Sequence, residues 1–345
     1  MIEASSSPLQ VMSLRASHFP MLNASNHAGR MHWLETMLWR GWLARAEQQL
    51  PSLLPTRQPS CLVALEQKNL VGLVVIRPYN RRGTCWSVTS PELITSPRHC
   101  SKQSVSRDLL KNAIQQGSKR AQSWILRCPV NDTDQLALAR VLGFQPLKLF
   151  QCWTPPSLMA QAIPTWPDEL SWQQLSHRTA SLLWPLEKAG GSGHLRQIVD
   201  RQWIDLLDQN QTGSGVLLTQ GGATITAIAG LVSHPGTNSE TVLELIRDVG
   251  WDPRLSQALP KVLADLTSMS KTFRLITTSE DEPLNTLLEQ LRWKRAGEEL
   301  LLGRSLWRRQ ASSKLLLGAR PLQSMLGRLQ PQQPPLPTPS LGRRE

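Results

Sequence analysis

Between Ala121 and Thr154 the hydrophobic and polar positions change period twice. Ser123-Trp-Ile-Leu-Arg-Cys-Pro-Val is a short β-rich run, and Asn131-Asp-Thr-Asp supplies residues that favour a helix start. Leu136, Ala139, Val141 and Leu142 then recur at helical spacing up to Gly143-Phe144, and a second extended run, Leu147 to Trp153, ends at Pro155-Pro156. The same layout returns between Lys271 and Arg308. Thr272-Phe-Arg-Leu-Ile-Thr is its strand, Ser279-Glu-Asp-Glu-Pro opens its helix, and Leu284, Leu287, Leu288 and Leu291 follow. Arg292-Trp293 stands where Gly143-Phe144 stood, and Glu298 to Trp307 is the closing strand. Phe144 and Trp293 lie 149 residues apart, Leu126 and Ile276 150. An offset that holds across unrelated residue types marks an internal duplication.

The remaining segments extend the parallel. Leu34, Met37, Leu38 and Trp42 fall on one face of a helix. Cys61 to Glu66 and Leu70 to Arg77 form a hairpin, Pro78 to Gly83 a turn-rich loop, and Trp86-Ser-Val and Leu93-Ile-Thr a further extended stretch. Leu109, Leu110, Ala113 and Ile114 mark a helix ending at Gly117. In the second half Leu195, Ile198, Val199, Trp203, Leu206 and Leu207 make a helical stripe. A hairpin turns at Gly221-Gly222, Thr241 to Arg247 is a strand, and Leu259, Val262, Leu263 and Leu266 lie on a helix. Residues 10–155 and 168–309 are therefore expected as two domains, joined by a proline-rich linker at 156–167. Leu322, Met325, Leu326 and Leu329 predict a short docked helix at 310–330, and 331–345 reads as a disordered, polyproline-like tail.

Composition narrows the function. The chain has 345 residues, enough for two cores, and no apolar run approaches the ~18 residues of a membrane span. Its start carries an acid and no apolar core, which argues against a secretory signal. Five cysteines (Cys61, Cys85, Cys100, Cys128 and Cys152) show no C-x-x-C spacing and read as reduced apolar filler, so the expectation is a cytoplasmic protein without a metal. The net charge is +12, but residues 301–345 hold eight Lys or Arg against one acid. The body is thus only modestly basic and lacks a like-charged block with interleaved aromatics, which argues against nucleic acid; the basic tail suits an acidic protein partner.

Helix, hairpin, strand, helix, strand, helix ending in Leu142-Gly143-Phe144, strand: this order resembles the GNAT acyl-CoA N-acyltransferase superfamily, in the tandem arrangement of mycothiol synthase. The resemblance covers most of residues 10–155 and, more loosely, 168–309. It implies an α/β, layered fold of two GNAT-like domains, each a mixed, mostly antiparallel sheet flanked by helices. It also implies transfer of an acetyl or other acyl group from acyl-CoA to an amine acceptor by direct attack on the thioester.

The superfamily's Q/R-x-x-G-x-G/A loop holds the cofactor pyrophosphate on backbone N–H groups at a helix start. Its matching stretch is Ser101, Lys102, Gln103, Ser104, Val105 and Ser106, with both glycines replaced by serine and with Arg98, His99, Lys102 and Arg107 flanking. Carried over, the backbone of Leu93, Ile94 and Thr95 would pair with pantetheine, Ser101 to Arg107 would hold the pyrophosphate, and Asn131 would orient the pantetheine arm. The corresponding stretch of the second copy, from Trp251, lacks the glycines and has an acidic entry in Asp248 and Asp252. Glu92 is the candidate base; its alternative reading is a solvated acid at a strand end. The superfamily's tyrosine acid maps to Ala139 and Leu288, so it is absent from both copies, and Tyr79 is the only tyrosine. Such a group contributes roughly 10²–10⁴-fold. The rival expectation is a catalytically inactive GNAT-fold scaffold acting through its basic, proline-rich tail.

Overall fold

A computed structural model describes residues 9–23, 31–49, 58–67, 69–116, 121–156, 166–208, 213–220, 224–235, 241–269 and 273–305. The chain divides into compact units at Met1–Leu306 and Trp307–Glu345. The second unit, with the expected docked helix and proline-rich tail, lies outside the described residues, as do the Gly221-Gly222 turn and most of the expected linker.

The first half runs β1 (Gln10–Ser13), α1 (Phe19–Asn23), α2 (Met31–Gln49), β2 (Ser60–Glu66), β3 (Asn69–Pro78), β4 (Cys85–Val88), β5 (Glu92–Leu93), α3 (Lys102–Gln116), β6 (Ser123–Pro129), α4 (Thr133–Val141) and β7 (Gln145–Thr154). The second runs β8 (Leu170–Gln174), α5 (His177–Gly190), α6 (Gly193–Val199), α7 (Trp203–Leu207), β9 (Gly215–Thr219), β10 (Ala227–Pro235), β11 (Thr241–Arg247), α8 (Leu255–Met269), β12 (Phe273–Thr278), α9 (Glu282–Gln290) and β13 (Lys294–Ser305).

The duplication is written into the backbone. Asp132 caps α4 by accepting from Gln135 N, and Asp281 caps α9 by accepting from Leu284 N. Both helices end alike: Phe144 N donates to Ala139 O at 3.0 Å, and Trp293 N to Leu288 O at 2.9 Å, closing a left-handed turn at Gly143 (φ 83°) and Arg292 (φ 61°). All these pairs are 149 residues apart. The strand follows the same offset once facing is considered. Leu126 packs under α3 and α4, whereas Ile276 faces the opposite side of the sheet, so the partner of Leu126 is Leu275 rather than Ile276.

The strands join one sheet in the order β1-β2-β3-β4-β6-β13-β7-β12-β11-β10-β9-β8, with β5 on β3. The two copies therefore exchange their closing strands. β13 lies between β6 and β7, and β7 lies between β13 and β12. The exchange carries core residues with it. Trp153 of β7 is fully buried in the core of the second copy, where its indole N–H donates to Thr277 Oγ1 at 2.9 Å. Leu302 of β13 is buried beside Trp124 and Phe144 in the core of the first. Burying such a side chain is worth ~1.5–3 kcal/mol, so each copy stabilises the other.

Three expectations change. Leu34 and Met37 are buried under α2, but Trp42 is 59% exposed and points away with Trp39. The stripe from Leu195 to Leu207 is two helices, broken at Asp200, which adopts a left-handed conformation (φ 45°). The extended stretch at Leu93-Ile-Thr shortens to Glu92–Leu93, because the chain turns there toward α3.

Candidate functional site

β4 and β6 run parallel from Cys85↔Ser123 to Val88↔Leu126 and then part, since β5 pairs with β3 instead. Parting parallel strands leave a wedge with unpaired backbone on both sides. Two side chains bridge it here: Ser90 Oγ donates to Arg127 O, and Gln135 Nε2 of α4 donates to Pro91 O, both at 3.3 Å.

The sequence-predicted residues are spread over β5 and the chain after it, the start of α3, and the turn before α4. Ile94 N donates to Val71 O and Thr95 Oγ1 to Leu70 O, so this stretch is held against β3. Ser101 caps α3, its hydroxyl accepting from Ser104 N at 3.1 Å, while Val105 is buried in the core. Lys102, Gln103 and Arg107 are exposed, and Ser104 and Ser106 are half-buried. Asn131 is exposed in the turn before α4, and the capping role falls to Asp132. Glu92 sits on β5 opposite Leu73 and lines neither of the two cavities described below.

The turn before α3 already holds an anion of the chain itself. Glu66, 2% exposed at the end of β2, accepts from Arg98 N (2.7 Å), His99 N (2.8 Å) and Cys100 N (2.9 Å). The bond from Arg98 N, with those from His99 and Cys100, holds its carboxyl below the usual range. Burial, followed by Glu66, pushes the Cys100 thiol up; burial lifts Cys61 and Cys85 to about 12 and Cys128 and Cys152 to about 11. These thiols stay protonated at neutral pH and fill space, as the sequence led us to expect.

The second copy has its own wedge. β11 and β12 pair in parallel from Thr241↔Phe273 to Glu244↔Ile276 and then separate. Arg247 spans the gap with a two-pronged ion pair to Asp281, the cap of α9, and its Nη1 approaches the carbonyls of Asp248 (2.6 Å), Val249 (3.3 Å) and Gly250 (3.3 Å). A cavity of about 810 Å³ beside this turn is lined by Asp248, Asp252 and Trp251 among others. Carbonyls and acids facing a guanidinium are the wrong polarity for a phosphate.

On the opposite face of the sheet the two copies share a cavity of about 500 Å³. Arg127, the first β6 residue beyond the last β4 pair, reaches Glu244 of β11 at 3.4 Å. Those strands are four apart in the sheet, which is roughly 19 Å if flat, so the shared face is concave. Arg127 also stacks on Phe150 (4.4 Å). Arg201, its side chain 4% exposed, bonds Glu187 at 2.8 Å and stacks on Tyr79 at 5.3 Å. Burial raises both the Tyr79 phenol and the Glu187 carboxyl, and the neighbouring Arg201 draws each back down. The loop after β3 closes one end. Asn80, 3% exposed, donates to Thr84 Oγ1 (2.7 Å), Val199 O (3.3 Å) and Asp200 O (3.0 Å), tying the first copy to the end of α6. The sequence marked that loop as turn-rich but did not single out Arg127, Glu187, Arg201 or Glu244. Their signal was a charge inside an otherwise apolar strand or helix, visible at Arg127 and Glu244 and unread.

No protein-family model matches the chain, and no curated protein matches it in sequence. Solved structures do match. A GCN5-related N-acetyltransferase from Sphaerobacter thermophilus aligns over 86% of this chain and 95% of its own, with 11% identity and a TM-score of 0.51. A tandem GNAT protein from the clavulanic acid biosynthesis pathway aligns over 86% and 98%, with 12% identity and a TM-score of 0.52. The fold is a tandem GNAT fold. Within it, the N-terminal copy fits an acyl-CoA by its wedge and by the exposed Arg98, His99, Lys102 and Arg107, although three backbone donors before its loop face Glu66. The C-terminal copy does not fit one, because Arg247 and Asp281 close its wedge. Ala139 and Leu288, the positions of the GNAT tyrosine, are both buried in apolar cores.

Proposed function

We propose that the protein is an acyltransferase in which the N-terminal copy takes an acyl-CoA at the β4/β6 wedge and the shared cavity takes the amine acceptor. The observation that carries this reading is the wedge itself. The chain leaves it through β5 and the turn that leads into the basic start of α3, and Arg127, just beyond the last β4 pair, lines the shared cavity. An acyl-CoA, when bound, supplies the activated thioester. The chain's own residues then orient the acceptor and remove its proton. Glu244 and Glu187, both on the cavity, are better placed for that proton than Glu92, which lines no cavity described here. Gln135 would have to leave Pro91 O to admit a ligand.

A second reading, a GNAT-fold scaffold without catalysis that works through the basic tail, draws support from Glu66 on the turn donors and from the missing phenol at Ala139. Calorimetric titration with acetyl-CoA and with free CoA separates the two. The enzyme reading expects saturable binding near one per chain, abolished by Ser104→Trp without a change in thermal midpoint. Absence of heat and of thermal shift at roughly millimolar ligand, where even weak sites fill, would leave the scaffold, and removal of residues 311–345 should then abolish partner capture.

A further inference from the structure

The shared cavity combines three properties: charges of both signs inside, aromatic walls, and an excess of positive charge at its rim. Inside, each acid faces an arginine, Glu187 with Arg201 and Glu244 with Arg127. The two pairs are unlike. Arg201–Glu187 closes at 2.8 Å, but Arg127–Glu244 stands at 3.4 Å, longer than the ~2.7–2.9 Å of a full charge-assisted bond. Arg127 Nη1 is also buried without a hydrogen-bond partner among the described residues. A buried guanidinium N–H left unmatched is costly, and the side chain as a whole, 25% exposed on the cavity wall, can turn to offer it to an incoming acceptor atom. At the rim Lys188 and Arg196 are exposed, Lys188 lying 6.0 Å over the Trp184 ring.

We infer that this cavity binds a small zwitterion with an apolar or aromatic body, an amino acid, whose carboxylate meets Arg127 and whose ammonium meets Glu244. An ion of one sign is disfavoured, because it satisfies one member of the Arg127–Glu244 pair and leaves the other facing a like charge in a partly buried site. A zwitterion enters the long pair from the side and replaces one loose contact with two close ones. Phe150 and Trp184 form the wall for its body, and a volume of about 500 Å³ lies within the ~300–1,000 Å³ of small-molecule sites. The rim cations draw the carboxylate end in. The inference rests on the proposed reaction only in calling this ligand an acceptor; the binding itself needs no acyl-CoA.

The test is calorimetry on the full chain with L-phenylalanine and L-leucine, beside 3-phenylpropanoate, which lacks the ammonium, and 2-phenylethylamine, which lacks the carboxylate. Saturable binding of an amino acid near one per chain is expected, with each single-charge analogue at least roughly tenfold weaker, the scale of one lost charge contact. Arg127→Gln should weaken the amino acid by a similar factor while strengthening 2-phenylethylamine, whose ammonium no longer faces a like charge. Should Arg127→Gln fail to fold, Lys188→Glu at the exposed rim serves instead and should slow association of the amino acid. No saturation with any amino acid at about 5 mM, or equal affinity for 3-phenylpropanoate, would overturn the inference. Amino-acid binding in a protein that gives no heat with acetyl-CoA would sink the proposed reaction and leave this site standing.

Discussion

In the N-terminal copy the turn after the parting strand offers three N–H groups to a carboxylate; in the C-terminal copy it offers three carbonyls to a guanidinium. Glu66 comes from the neighbouring hairpin and leaves its own wedge to be bridged by Ser90 and Gln135, through bonds of 3.3 Å. Arg247 comes from the parting strand itself and locks to the cap of α9. One backbone plan thus carries opposite charges at its turn, with the wedge bridged by two long neutral bonds in one copy and locked by an ion pair in the other.

The largest test of the comparison removes what the copies share. A chain ending at residue 293 lacks β13, and we expect it to lose cooperative unfolding and solubility, because β6 and β7 both lose a partner strand. A chain of residues 1–156 that folds with a native-like thermal midpoint would show the copies to be independent after all. Next, Arg247→Ala should cost ~3–5 kcal/mol in urea unfolding, since it strands Asp281 in a site where both partners are little exposed (11% and 13%). A loss below about 1 kcal/mol would mean the pair is solvated and the closure of that wedge weak.

Glu66→Gln should have a smaller effect, and a pH-dependent one. The folded-state carboxyl is held low by its backbone donors, so its contribution is present above the unfolded value of ~4.3 and fades as pH falls through the folded one. Wild type and variant should therefore differ in thermal midpoint at pH 7 and converge under acid. Parallel curves would assign the difference to shape rather than charge. Smallest of all, Gln135→Ala should leave stability nearly unchanged and strengthen CoA binding by a few-fold, by clearing the N-terminal wedge. The same measurement with no change would show that Gln135 does not guard that path.

Much of the fold was legible because the repeat is carried by local signals. Helix caps at Asp132 and Asp281 and the turns at Gly143 and Arg292 are short-range chemistry that a sequence displays directly. The strand exchange was not legible. Nothing in β7 or β13 distinguishes pairing with its own copy from pairing with the other, since both slots offer the same apolar face. The site split along the same line. Ser101 to Arg107 could be found by counting from Leu109-Leu110, whereas Arg127 and Glu244 meet only because a curved sheet brings four strands' width together. Trp42 misled for a related reason: helical spacing reports a face without reporting whether anything covers it.

The exchanged strands also set an order of events during synthesis. When β6 and β7 leave the ribosome, the strand that belongs between them, residues 294–305, has yet to be translated. At ~5–20 residues per second the first copy waits many seconds with its central slot open and Trp124 without Leu302 beside it. The chain thus completes its N-terminal half last, and a nascent molecule exposes for that interval two strand edges that a chaperone, or another copy of the same chain, can reach.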